Sequence, residues 1–288
     1  MNLALAYNYI INPIPPKKLI MNTKGKATLQ ICDQKLRYFN YAESTRKTYL
    51  HYINLFLQDQ DKSPAHLCAA DFQTYVSTIK FSSVSQQNQL INAIRFLFKM
   101  VLQKHYGKLT FKRPRRAKRL PEVIDQEIIR TKLAQIQNLK HKALLTTAFS
   151  VGLRVSEVCN LKIADIDSPR MLINIHQGKG KKDRMVPLSQ NVLDLLRQYF
   201  QAYKPKDYLF EGQRGGAYSR SSCNQLFKKH IQVGGHFHTI RHSALTAMLE
   251  NGTDLRLIQN IAGHASIKTT QIYTHVSNQF LQTAALPA

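Results

Sequence analysis

Acidic residues are scarce in this 288-residue chain: 17 Asp and Glu stand against 41 Lys and Arg, leaving a formal charge of +24. Such an imbalance points to a polyanionic partner, with nucleic acid ahead of an anionic membrane surface. No run approaches the roughly 20 apolar residues a membrane span needs, and no polybasic amphipathic helix stands beside a lipidation signal. Cysteine is equally sparse. Cys32, Cys68, Cys159 and Cys223 are scattered with no close pair, which excludes a disulfide framework or a metal-knuckle spacing and suits the reducing cytoplasm. The opening MNLALAYNYIINPIPPKKLI has no basic segment ahead of its apolar part and no small-residue cleavage pattern. It therefore reads as a tail over residues 1–24, with Met21 as an alternative start. Internal repeats are absent. What remains, 43% hydrophobic, is ordinary for a folded protein long enough for two cores.

Residues 25–111 carry helical periodicity with no alternating strand. In YAESTRKTYLHYINLFLQD the pattern predicts a helix capped by Ser44, with Tyr49, Ile53, Phe56 and Leu57 on one apolar stripe beside Arg46 and Lys47. A short helix around Leu67 and another from Asp71 follow. The longest starts at Ser83 or Ser85, buries Leu90, Ile94, Leu97, Phe98 and Val101, and stops at Gly107. This is a four-helix module. The boundary after it is KRPRRAKRLPEV: Pro114 and Pro121 forbid a continuous helix, and six basic residues lie between Lys112 and Arg119. Residues 112–122 thus form an extended basic linker suited to crossing a phosphate backbone.

The remaining residues, 123–288, are also mostly helical, with one strand-turn-strand signal in MLINIH, QGKGKKD and RMVPLS. The fold expected is mainly α with a small antiparallel sheet, a helical bundle followed by a mixed, mostly helical domain. Gly152-Leu153-Arg154-Val155-Ser156-Glu157 sets an arginine at a helix N-terminal junction, where backbone N–H groups and a guanidinium can hold an oxyanion. An arginine simply paired with Glu157 fits the same residues. Gly178-Lys179-Gly180 projects a lysine from the hairpin tip, or is an ordinary Gly-rich turn; its spacing is not that of a Walker loop.

Toward the C-terminus His238 and Arg241 share a helix face, being three apart. His264 and Tyr273, nine apart, would oppose each other on one helix. Gly263 as a C-cap and Ser266 as the N-cap of a new helix near Ile267 supply the break they need. In that last helix Ile272 and Val276 form the apolar pair, so Tyr273, on a stripe with Thr270 and Ser277, is expected to point away from the core. His238 and His242 at i,i+4 could suggest zinc, but Thr239 stands where a zincin has glutamate and no carboxylate or cysteine completes a set. No metal or other cofactor is expected.

Taken together, GLRVSE around Arg154, HQGKGKKDRMVPL around Lys179, HTIRH with His238 and Arg241, and DLRLIQNIAGHASIKTTQIYTH with His264 and Tyr273 resemble the tyrosine recombinase (phage integrase) family, most closely its Xer-like members. The resemblance spans roughly residues 27–275. A Gly-Gly-His-Phe run precedes His238 where Ser-Pro is more usual. It implies a helical core-binding (SAM-like) domain over 25–111, a catalytic domain over 123–288, and a site-specific DNA recombinase or integrase. In such enzymes the tyrosine attacks a phosphodiester to leave a 3'-phosphotyrosine and a free 5'-hydroxyl.

The resemblance then assigns roles. Tyr273 is the nucleophile, Arg154, Arg241 and His264 stabilise the non-bridging oxygens, Lys179 protonates the 5'-oxygen and His238 accepts the tyrosine proton. Glu157 and His242 are read as supports. Arg46, Lys47, Arg113, Arg115, Arg116, Lys118, Arg119, Lys181 and Arg184 are expected on DNA. Four protomers are expected on two duplexes, joined through residues 276–288. Alternatives that share the charge and fold are a non-catalytic DNA-binding regulator and a type IB topoisomerase-like relaxing enzyme.

Overall fold

The computed structural model describes residues 23–104, 120–176 and 183–277. The tail, residues 105–119 with Arg113, Arg115, Arg116, Lys118 and Arg119, the hairpin tip with Lys179 and Lys181, and residues 278–288 lie outside that set. The chain divides into two compact units, Met1–Lys118 and Arg119–Ala288, the division falling inside the basic run.

Among the described residues of the first unit four α-helices run Thr23–Tyr38 (α1), Glu43–Gln58 (α2), Ala69–Thr78 (α3) and Val84–Phe96 (α4). Their shared core holds Leu36, Ile53, Phe56, Phe72, Leu90, Ile94 and Phe98. Aromatic rings do much of the filling: Phe56 meets Phe72 and Tyr75 edge-on at centroid distances of 6.2 and 5.1 Å. Ser83 caps α4, its hydroxyl accepting from Gln86 N–H at 3.1 Å. Three expectations need correction. Ala42, not Ser44, occupies the N-cap of α2, and Ser44 already lies inside the helix. The segment near Leu67 is a single 3₁₀ turn, Pro64–His66, because Pro64 fits the first helical position but nothing propagates beyond it. The α-helical part of the long helix ends at Phe96, continues as a π turn over Leu97–Val101, and leaves Val101 half-buried; Gly107 lies outside the described residues.

The second unit opens with α5 (Gln126–Ala134), capped by Asp125, and α6 (Leu139–Ser150), capped by Asn138. A tight turn at Gly152, φ +62°, leads into the short α7 (Val155–Asn160). A three-stranded antiparallel sheet follows, Ile166–Asp167 (β1), Leu172–Ile175 (β2) and Arg184–Pro187 (β3), paired in the order β1-β2-β3. Ile173 faces Val186 and both are buried, which fixes the register of the hairpin. Strand β1 is an addition: two residues carry too little periodicity to be read from sequence.

Five more helices complete the unit among the described residues: α8 (Gln190–Tyr203), α9 (Arg220–His230), α10 (Phe237–Glu250), α11 (Leu255–Ala262) and α12 (Ile267–Thr270), the last running into a 3₁₀ turn at Gln271–His275. Helix α10 is buried along most of its length, from Phe237 through Ile240, Arg241 and Ala244 to Leu249. A polar residue inside such a helix must find partners there, and that requirement builds the site. The fold is mainly α with a small antiparallel sheet, as the patterns predict. No described helix is long and apolar enough to cross a membrane.

Candidate active site

Arg241 is the centre of the site. It sits on α10 with 1% of its surface exposed, where an unpaired guanidinium would be prohibitively costly. Its Nη1 donates to Gly152 O at 2.6 Å, and its Nη2 to Ala262 O at 2.6 Å and to His264 Nε2 at 3.0 Å. Ala262 is the last residue of α11, where helix oxygens lack partners and carry partial negative charge, and Gly152 lies in the turn just past α6. Burial first, then the charge of Arg154, lowers its pKa to about 10, still far above neutrality.

Arg154 is the N-cap of α7. The Glu157 carboxylate turns back to it, Oε2 accepting its backbone N–H at 2.8 Å and Oε1 accepting Nη1 at 2.7 Å. Its Nη2 reaches Gly263 O at 3.0 Å. Both arginines are therefore fastened to one turn, the end of α11. Glu157 is buried, which opposes ionisation; hydrogen bonds and charge from Arg184 and then from Arg154 outweigh that and hold it near pKa 2.

Gly263 makes the turn. Its φ of +60° is the left-handed C-cap, as the sequence predicts, and a Cβ there would lie 3.0 Å from Arg184 Cδ. Gly263→Ala is expected to destabilise the fold by about 1–2 kcal/mol. If the chain has the DNA-cleaving activity the resemblance implies, the same change should slow it as well, because the displaced carbonyl holds Arg154; loss of stability with unchanged cleavage would contradict this.

Beyond the turn His264 accepts from Arg241 at Nε2, since a guanidinium can only donate, so its Nδ1–H donates to Thr270 Oγ1 at 3.0 Å. The same ring stacks on Tyr273, with centroids 6.4 Å apart and planes at 13°.

Tyr273 does not point away from the core: it is 2% exposed and packs with Leu245, Leu249, Ile258 and Ala262. The reason is local. The α-helix stops at Thr270, and in the 3₁₀ turn that follows residues three apart eclipse one another, which sets Tyr273 beneath the fully buried Thr270. Its hydroxyl lies 3.0 Å from Nδ1 of His242. The resemblance assigns that partnership to His238, whose ring packs edge-on against His242 at 4.7 Å. Helix geometry explains the exchange: His242 is one turn further along α10, level with the turn that carries Tyr273.

Of the residues expected on DNA, Arg184 lies within the site. Its side chain is 10% exposed and forms a bidentate pair with Glu157 at 2.8 and 2.9 Å, with Nε donating to Ile261 O at 2.8 Å. Its position just past a basic hairpin tip gave no hint of this, because the partner lies 27 residues upstream. Arg46 is largely covered and lies 3.4 Å from Asp33, while Lys47 is exposed and pairs with Glu43 at 2.8 Å. Thr270, the partner of His264, carried no sequence signal either. Among the described residues no group of three His, Cys, Asp or Glu is arranged to hold a metal ion.

Burial, followed by neighbouring positive charge with Arg241 prominent, pushes His238, His242 and His264 down to about 4 from an ordinary 6.5. The unfolded chain therefore binds protons between pH 6.5 and 4 that the folded chain refuses, so stability falls as pH drops through that window. Glu157 adds a second loss from about 4.5 down to 2. Thermal unfolding should show the melting temperature dropping from pH 7 to 5, with a shallower slope in His242→Asn. A flat profile would rule out this placement of the histidines.

The comparisons with known proteins point the same way. Residues 118–279 match the model of the phage integrase family, and residues 29–108 that of the phage integrase N-terminal SAM-like domain. The tyrosine recombinase XerA of Pyrococcus horikoshii is 32% identical, over 84% of this chain and 87% of its own. A crystal structure of XerA recombinase superposes with a TM-score of 0.52 at 29% identity, covering 90% of this chain and 96% of that one. The fold is also that of a lambda integrase tetramer bound to a Holliday junction, TM-score 0.65 at 14% identity, over 91% of this chain and 85% of that one. With its buried arginines, its paired histidines and its tyrosine set in a fold and sequence shared with these proteins, the chain belongs to the phage integrase family, as an Xer-like tyrosine recombinase.

Proposed function

We propose that the chain is a site-specific DNA recombinase that cuts and rejoins strands through a covalent 3'-phosphotyrosine on Tyr273. The observation that carries this is the convergence of Arg154, Arg241, His264 and Tyr273 on the end of α11. Tyr273 Oη attacks the scissile phosphorus in line, its proton passes to the histidine pair, and the 5'-oxygen leaves. His242 is in hydrogen-bonding contact with that hydroxyl, and His238, packed on it, completes the acceptor. Lys179 is the general acid for the 5'-oxygen, whose alkoxide leaves poorly unprotonated.

The developing charge on the non-bridging oxygens falls to Arg154 and Arg241, planar donors whose geometry suits a phosphate. His264 joins them once the phosphate draws N–H groups of Arg241 to itself. A bound anion also raises the histidine's pKa, so that Nε2 can carry a proton and donate. Attack further requires Tyr273 to leave its buried seat. A short 3₁₀ turn, with poorer hydrogen bonds than an α-helix, is a segment that can do so.

Because the phosphotyrosine keeps the energy of the broken bond, a 5'-hydroxyl from a second duplex reverses the step on a new strand, with neither metal nor nucleotide consumed. Exchange of this kind joins four protomers, as in the lambda integrase tetramer on its junction, and residues 276–288 are the segment we assign to the contact between them. Arg46, Lys47, Lys181 and the linker residues 112–122 supply phosphate contacts. The setting is the prokaryotic cytoplasm, on the nucleoid.

The test is adduct mapping. Genomic DNA incubated with the chain and quenched in detergent should yield 3' ends linked to a Tyr273-containing peptide at a small number of positions. Adducts at 5' ends, at another residue or at random sequence would each overturn the proposal.

A further inference from the structure

Two guanidiniums share one carboxylate at the base of the site. Glu157 Oε1 accepts Arg154 Nη1 at 2.7 Å and Arg184 Nη1 at 2.8 Å; Oε2 accepts Arg154 N–H at 2.8 Å and Arg184 Nη2 at 2.9 Å. Arg184 thus takes Glu157 bidentately, whereas the guanidinium of Arg154 meets it through one nitrogen. The remaining nitrogen of Arg184, Nε, is spent on Ile261 O, and its stem lies under Gly263 at the close approach described above. Of the two groups that hold Arg154, Arg184 bonds one, the Glu157 carboxylate, directly, and lies against the turn that carries the other, the Gly263 carbonyl.

A carboxylate with only one arginine beside it favours the two-pronged pair, the strongest geometry available to both groups. Freed of Arg184, Glu157 would draw Arg154 into that pair and turn its donors away from the phosphate. We propose that Arg184 is a positioning residue for the strand-transfer reaction: by saturating Glu157 and supporting the 261–263 turn, it keeps Arg154 turned outward, and it does not itself contact DNA.

This rests on the recombinase reading, and the experiment separates the two. Arg184→Gln removes the charge and the fork. Arg184→Lys keeps the charge and serves as the variant that folds, but offers a single-point donor that cannot fork. Both are compared with the unaltered chain on a duplex carrying the mapped cleavage position, with an ordinary phosphate and with a methylphosphonate there. Affinity and its salt slope should be unchanged in both, since no phosphate contact is lost.

Single-turnover cleavage of the phosphate duplex should fall about 10- to 100-fold, less than the 10² to 10³ expected for losing a donor outright. The defect should shrink on the methylphosphonate, which lacks the charged oxygen that Arg154 serves. In an Arg154→Ala background the Arg184 change should add little, as expected of coupled residues. A salt slope reduced by about one unit would make Arg184 a DNA contact and overturn the proposal. So would wild-type cleavage by Arg184→Lys, an equal defect on both duplexes, or full additivity with Arg154→Ala. If the unaltered chain forms no adduct, the recombinase reading itself fails; if it does and Arg184→Lys matches it, only this inference fails.

Discussion

Tyr273→Phe protein is expected to bind DNA as tightly as the unaltered chain and to form no covalent adduct. The substitution removes one oxygen from a side chain otherwise enclosed by Leu245, Leu249, Ile258 and Ala262, so the ring keeps its packing. What the fold loses is the contact with His242, worth about 1 kcal/mol. What the reaction loses is its nucleophile, for which a fall of at least about 10⁴ in cleavage rate is the order expected. The measurement is a denaturing gel of a suicide duplex whose nicked strand prevents religation. A labelled protein-DNA band from the variant would assign the nucleophile elsewhere. A variant that binds poorly would show instead that the hydroxyl has a structural role larger than its single hydrogen bond.

Arg241→Ala should be costly twice. In the fold it orphans Gly152 O and Ala262 O, each buried and each paired at 2.6 Å. At about 1–3 kcal/mol per stranded group the loss is roughly 3 kcal/mol, and in a unit of this size that lowers the melting temperature by roughly 6–12 °C. In the reaction it removes a donor from the non-bridging oxygens, a fall of about 10² to 10³. The two effects separate by temperature, because the catalytic deficit persists well below the melting point. Arg241→Lys should recover some stability and little rate, since an ammonium cannot span both carbonyls and a phosphate at once. Cleavage by Arg241→Ala within a few-fold of the unaltered chain at low temperature would remove Arg241 from the transition state.

The sequence was most informative where the relevant physics is local. The i,i+3 spacing of His238 and Arg241, the Gly263 C-cap and the new helix at Ile267 depend on a few neighbouring residues, and each is found as expected. The alternating residues of β2 and β3 likewise gave the hairpin, because burial on one face leaves its mark at every second position.

What could not be read was set across distance or by a change of helical period. The orientation of Tyr273 depended on three residues per turn replacing 3.6, a switch that QIYTH does not announce. The choice of His242 over His238 depended on where α12 and its 3₁₀ extension come to rest on α10. Arg184 looked like every other basic residue near the hairpin tip, and only the fold brings Glu157 beneath it. Charge alone does not reveal such a partner: a cation expected on DNA is paired with the same carboxylate that holds Arg154.

Arg154 and Arg241 take much of their support from main-chain oxygens, those of Gly152, Ala262 and Gly263. A side-chain ligand disappears with one codon change, whereas a peptide carbonyl survives any substitution that preserves the path of the chain. Relatives can therefore drift in residue identity around these positions and still present two guanidiniums in the same place, provided the two left-handed turns at 152 and 263 remain. The lineage can change the DNA it recognises at its surface without having to rebuild the support beneath its chemistry.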